Sequence, residues 1–204
     1  MPDARQVSPT RSAFLELRDE RDLIREGYEF LDEKRMIVAQ EMLRQLAAWE
    51  RLRDEYLSLH AQANSALAAA VFRHGFDGLV VYPRTRMKDW IQPLNAHRFL
   101  GVELLEPGDA EAHGDQSDPP VLPSAEAETC RRAFAALLAA AGHMAAAQTN
   151  LERLIEEYIR TERRARALEN VMLPEIDDSL RFVNEQLEAV DLEEALRVRF
   201  VGKE

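Results

Sequence analysis

Between Pro9 and Pro83 the chain contains no proline, and its apolar residues recur at helical spacing throughout. Trp49, Leu52, Tyr56, Leu59, Ala63, Ala66 and Ala70 step alternately by three and four residues, the heptad signature of a left-handed coiled coil. Upstream, Leu17, Ile24, Leu31, Val38 and Met42 continue the rhythm, but Arg21, Gly27 or Tyr28, and Lys34 or Arg35 occupy the intervening steps. The seam there is weaker, or is shared with another partner. Ser8 or Thr10 supplies an N-cap, because a side-chain oxygen there satisfies a backbone N–H that has no partner in the first turn.

A second helical segment runs from about Ser124 to Phe200. Leu137, Ala141, Met144, Gln148, Leu151, Ile155, Tyr158, Glu162 and Ala165 form one stripe, continued by Met172, Ile176, Leu180, Val183, Leu187 and Val190. Pro174 interrupts it, removing a backbone donor from the carbonyl of Asn170, and is expected to bend the helix. Helices this long, on the order of 100 Å, need a partner to cover the stripe, and each is the other's nearest candidate. Folding back at mid-chain predicts an antiparallel register that pairs Trp49 with Ile155, Leu52 with Leu151 and Leu59 with Met144. The run AQANSALAAA then faces AFAALLAAAGHMAAA, and small side chains on both sides let the backbones approach closely.

The middle of the chain reads differently. GLVVYPRTRM and RFLGVELLEP are short β-branched or aromatic runs bounded by Gly and Pro, which predicts a small hairpin or pair of strands. PGDAEAHGDQSDPPVLPS reads as a mobile acidic, proline-rich loop. The expected organisation is all-α: a long antiparallel two-helix coiled coil with a small β-hairpin and loop insertion at the fold-back. Its parts are a first helix over 1–74, a central hairpin and loop over 75–123, and a second helix over 124–204.

Charge and chemistry narrow the function. A formal charge of −11 disfavours sequence-independent nucleic-acid binding, which needs clustered cations to displace counterions from phosphates. The start MPDARQVSPTRS carries no apolar signal region, and no apolar run reaches the roughly 20 residues a spanning helix needs. Cys130 has no second cysteine to pair with, so a reducing cytoplasmic compartment is expected, and its place on a long helix reads as inert. There is no glycine-rich phosphate loop, and His60, His74, His97, His113 and His143 are scattered without ligand spacing. Glu156-Glu157, Asp177-Asp178 and Glu193-Glu194 sit among basic neighbours as solvated helix faces. No catalytic group, cofactor or metal site is expected. Trp90, in the proline-bounded middle, fits a packed hairpin and a partner contact equally well.

Two strings carry a family resemblance. PTRSAFLELRDERDLIREGYEFLDEKRMIV resembles the opening of the D-subunit family of V-type ATPases, matching at Pro9, Thr10, Arg11, Ser12, Leu15, Leu17, Gly27, Leu31, Lys34 and Arg35. RRARALENVMLPEIDDSLRFVNEQLE is similar to that family's second signature at Arg163, Arg164, Ala167, Leu168, Glu169 and Pro174. Asp32 and Arg166 depart from the pattern.

The resemblance implies a non-catalytic central rotor shaft of a rotary ATPase, cytoplasmic and peripheral to the membrane. Its two termini would lie in the catalytic head of A and B subunits, and its middle would meet the small F subunit of the stalk and the C/d socket on the membrane ring. Torque along it would couple ATP hydrolysis or synthesis to ion transport. On this reading Arg11, Arg21, Lys34, Arg35, Arg163, Arg164, Arg166, Leu168 and Glu169 face the head, Pro174 sets a bend in the shaft, and Trp90 contacts the lower stalk. The segment after Val190 would extend beyond the first helix as a single-helix tip. The competing reading is a coiled-coil chaperone or scaffold resembling prefoldin, which would bind clients through its helix tips and oligomerise through its hairpins. An enzyme with a helical arm would need chain for a catalytic domain, and little is left over.

Overall fold

The computed structural model describes residues 8–80, 94–108 and 123–201. Trp90, His113 and most of the acidic, proline-rich loop lie outside them. The elements are α1 (Arg11–Val80), β1 (Leu94–Phe99), β2 (Val102–Pro107), α2 (Ala125–Ala167), a π-helical turn (Leu168–Met172) and α3 (Leu173–Val201). The chain is therefore a long helix pair, α1 against α2 and α3, with a two-stranded antiparallel hairpin between them in sequence. Of the two N-cap candidates, Thr10 performs the role, its Oγ1 accepting the Ala13 N–H at 3.1 Å. Ser124 caps α2 in the same way through the Ala127 N–H at 3.1 Å. Within α1, Gly75 leaves helical geometry (φ 67°, ψ 169°), a region open to glycine because it has no Cβ. The residues divide into two compact units, one of Met1–Ile37 with Tyr158–Glu204, the other of Val38–Glu157.

In the Val38–Glu157 unit the buried seam is built largely of small side chains. Ala63 and Ala70 on α1, and Ala127, Ala140, Ala146 and Ala147 on α2, are buried together with Val38, Leu137 and Leu154. The helices run antiparallel, with His74 near the end of α1 bonded to Ser124 at the start of α2 (2.6 Å). The register expected from sequence would put His74 opposite Thr129, so the observed pairing is offset by about one helical turn.

The hairpin is bonded to this unit through the backbone of β2, while His97 of β1 lines a small cavity with Gln45, Ala48 and Leu52 of α1. Its two-residue turn, Leu100-Gly101, has both residues at positive φ (48° and 89°), a twist that matches the strands. Both strands come from the single run RFLGVELLEP and the residues before it, while Gly78, Leu79 and Val80 of the other run are helical. Val102 and Leu104 of β2 point inward and are buried, and Leu104 is fully enclosed. Asn150 of α2 holds the backbone of Leu105 at both ends: the Leu105 N–H donates to Oδ1 at 2.7 Å, and Nδ2 donates to the Leu105 carbonyl at 2.8 Å. Arg153 donates to the Glu103 carbonyl at 2.7 Å. These contacts occupy the outer edge of β2, whose polar groups would otherwise face a helix without partners.

In the other unit the seam uses large side chains. Ile24 of α1 packs with Ile176 and Leu180 of α3, and Phe14, Leu17, Leu168, Met172 and Leu173 close around them. Gly27 lies beside Leu168, where an added Cβ would sit 3.7 Å from Cδ1. The consequence of Pro174 falls upstream of it. Because proline has no N–H and its ring crowds the carbonyl four residues back, the preceding turn widens to π geometry, and the Leu173 N–H reaches the Leu168 carbonyl.

Candidate partner-binding surfaces

The cations singled out from sequence all belong to the Met1–Ile37 and Tyr158–Glu204 unit, and the structure sorts them into two groups. Arg35 is half-buried between Asp32 on its own helix and Glu162 on α2, donating to both carboxylates. Arg166 reaches the same Glu162 at 2.7 Å from one turn away. The Arg35 hydrogen bond, reinforced by both guanidinium charges, holds the Glu162 carboxyl below its ordinary value although partial burial opposes this. Arg35 is in turn held more firmly protonated, chiefly by the same hydrogen bond. Arg11 is exposed and pairs with Asp191 at 3.2 Å, joining the start of α1 to α3. Arg21 folds onto its neighbour Asp22 at 2.9 Å. These four arginines therefore have partners within the chain.

Arg163 and Arg164 form the second group. Both are exposed on α2, and neither has an ion-pair partner among the described residues. Lys34 is half-buried. Leu168 faces inward against Gly27 and the Ile24 cluster. Glu169 is exposed beside Tyr28, whose phenol it pushes up, mainly by its charge and then with the help of burial. Pro174 is the second residue of α3, two residues past the end of the π turn. The structure thus brings Arg35, Glu162 and Arg166 together and leaves Arg163 and Arg164 facing outward.

Sequence reasoning missed an apolar row in this unit. Leu23, Phe30 and Ile37 recur every seven residues on α1 but face away from the seam, with Leu23 and Phe30 about two-thirds exposed (68% and 65%). Their spacing is a readable signal: a second seven-residue series beside the seam is more apolar surface than one partner helix covers. On α3, every side chain from Val190 to Arg199 is exposed, including Leu192, Leu196 and Val198. This segment carries apolar residues with nothing from the described chain over them. Among the described residues no helix is long and apolar enough to cross a membrane.

Among the described residues the unit thus exposes an apolar row, two outward arginines and a helical end whose apolar residues nothing covers. Known proteins match the chain along nearly its whole length. The D subunit of a V-type ATP synthase from Thermotoga neapolitana is 23% identical over 95% of this chain and 95% of its own length. The D subunit of the V-type ATP synthase of Thermus thermophilus is 29% identical over 97% of this chain and 89% of its own. The D subunit of an A-type ATP synthase from Methanopyrus kandleri is 24% identical over 96% and 85%. Residues 13–203 match the family of ATP synthase D subunits, which takes in both helices and the hairpin, and the chain belongs to that family.

Proposed function

We propose that this protein is the non-catalytic central shaft of a V/A-type rotary ATPase, carrying torque between the catalytic head and the membrane ring. The observation that carries this reading is the bare C-terminal segment of α3, exposed from Val190 to Arg199, in the same unit that holds the start of α1. A shaft must present different faces to successive catalytic interfaces, because a symmetric rod could not order their states. A helix pair that ends in one helix is asymmetric at its tip. The uncovered row of Leu23, Phe30 and Ile37 supplies apolar contact, and Arg163 and Arg164 supply charge, for a surrounding head of A and B subunits. The F subunit and the socket on the membrane ring would engage the remainder, and the shaft would lie at the membrane surface without entering it.

Reconstitution with the A, B and F subunits tests the reading. The expected result is one copy per hexamer, with ATP hydrolysis coupled to rotation. Truncation after Val190 is expected to leave the helix pair folded while reducing retention in the hexamer at least tenfold. A truncated chain that binds and couples like the intact one would overturn the role given to the tip. Self-assembled oligomers that ignore the hexamer and suppress client aggregation would replace the shaft with a chaperone.

A further inference from the structure

The hairpin has two edges, and among the described residues only that of β2 is occupied. In an antiparallel pair closed by a two-residue turn, residues alternate between those bonded across the pair and those whose N–H and C=O point away from it. The contacts of β2 fix the phase: Leu105 gives both its backbone groups to Asn150, and Glu103 gives its carbonyl to Arg153, so these residues point outward. Their partners across the ladder are Ala96 and Arg98, and Leu94 stands opposite Pro107 in the same phase. The N–H and C=O groups of Leu94, Ala96 and Arg98 therefore point away from the sheet on the side opposite α2. No hydrogen bond reaches them among the described residues.

The side chains agree. From Leu94 to Arg98 every residue of β1 is exposed, and Leu94 shows about half its surface (54%). Arg98 has no ion-pair partner among the described residues, while His97, one position earlier, lies beside Glu106 at 3.6 Å. Among the described residues, the outward backbone groups of Leu94, Ala96 and Arg98 form an uncovered edge within a strand that holds no proline, bulge or inward lysine, a kind of edge that proteins ordinarily protect. Asn150 and Arg153 pin the backbone of β2 and Leu104 is fully buried, so the register is held although Leu100 in the turn takes a positive φ that a side chain disfavours.

We infer that β1 is a docking edge for an extended segment of another protein of the ATPase, which adds as a third strand. This rests on the membership in the rotary complex proposed above. The occupant is defined by what the edge offers: backbone groups to match Leu94, Ala96 and Arg98, an acidic side chain to meet the Arg98 guanidinium, and an apolar one to cover Leu94.

Residue-resolved hydrogen exchange on the full chain, free and in the reconstituted complex with its head and stalk partners, decides it. The amides of Leu94, Ala96 and Arg98 are expected to exchange on the order of tenfold slower or more in the complex, while Asn95 and His97 are protected in both. Ala96→Pro removes an outward donor that β2 does not use, so the hairpin should persist and the new protection should vanish. Arg98→Glu leaves the backbone intact and should weaken the same protection by repelling the acidic residue. If the complex assembles and these three amides exchange as fast as in the free chain, the edge is not a docking site and the shaft reading stands. Failure to assemble removes both. Protection in the free chain that rises with its concentration would mean a second copy occupies the edge, which overturns the inference.

Discussion

The two units close their helix pairs with different materials. Around Ile24, Ile176 and Leu180 the seam is made of large branched side chains that interdigitate. In the Val38–Glu157 unit most buried apolar positions are alanine, supplemented by Val38, Leu137 and Leu154 and by two hairpin side chains, Val102 and Leu104. Large side chains bury more apolar area each, at about 25 cal/mol per Å2, so the first seam is strong per contact and sensitive to truncation. Alanine buries little but has no rotamers to lose and the highest helix propensity, so the second seam draws on the backbone and on close approach. It also relies on polar pins, with Asn150 and Arg153 holding a strand against α2. The same coiled-coil plan thus fails in opposite ways: one seam to the loss of volume, the other to its gain.

The strongest test of the contrast is Ile176→Ala, which is expected to destabilise its unit by about 2–5 kcal/mol through the cavity it leaves. Denaturant unfolding followed by amide exchange in α3 measures it, and a loss below about 1 kcal/mol would mean the seam collapses around the gap as an alanine seam would. The complementary change is Ala63→Leu at a fully buried position. It is expected to cost about 1–3 kcal/mol by forcing the helices apart, seen as faster exchange in the alanine run of α2. Were the extra side chain accommodated without loss, close approach would not be what holds that unit.

How far the sequence carries the fold can be judged from these same seams. Every α1 seam position from Trp49 to Ala70 is half-buried or buried, because in that stretch each seam step is filled by an apolar residue flanked by polar ones. In α2 the reading is half displaced. Leu137, Met144, Leu151, Tyr158 and Ala165 lie inward as expected, but Gln148 and Ile155 are exposed, and Ala140, Ala147, Leu154 and Thr161 are buried in place of their neighbours. Past the π turn the expectation is right again at Ile176 and Val183. The inward series Thr161, Leu168, Ile176, Val183 steps by seven, eight and seven. One inserted residue shifts a stripe extrapolated from the C-terminal side by one position; the polar Gln148 and Glu162 within that stripe are the signal of the shift, while the alanine run before them fits either register. Pro174 is plain in the sequence, but its effect lies in the widened turn before it and not at the proline itself. The hairpin is legible as a class of element only; its Leu100-Gly101 turn lacks the Asn-Gly signal and places a leucine at positive φ. For the partner surfaces, charge can be read from sequence, but which arginines have intramolecular partners depends on which turn of the other helix stands opposite.

Smaller effects sharpen the contrast further. Gly27→Ala places a methyl in ordinary contact with Leu168 and removes a flexible residue from a helix interior. It is expected to stabilise the large-residue unit by about 1 kcal/mol, read as a higher unfolding midpoint. A loss of stability would show that the helices there approach more closely than their side chains suggest.

The smallest effect is acid sensitivity. Glu162 in one unit and Glu41 in the other both have carboxyls held below the ordinary value of 4.5, each chiefly by an arginine hydrogen bond, from Arg35 and Arg44 respectively. Their folded forms bind fewer protons than the unfolded chain near that value, so their contribution is present above about pH 4.5 and is lost as pH falls through the folded values. Glu162→Gln should flatten the acid limb of melting for its own unit and Glu41→Gln for the other. An unchanged acid limb in either variant would place the sensitivity elsewhere.

The bare end of α3 has a consequence for how this protein is ordered in time. A helix of roughly ten residues cut free in water is marginal, because starting the first turn is unfavourable and each added residue returns little. From Val190 onward α3 needs no new nucleus, since the turns before it are already wound against Ile24 and Phe14. Winding and unwinding there proceed by zipping from Val190 outward, so the turn holding Arg197 and Arg199 melts first and re-forms last. Fraying at that end amounts to a reserve of conformational entropy, which is given up when a partner encloses the segment and released when it lets go.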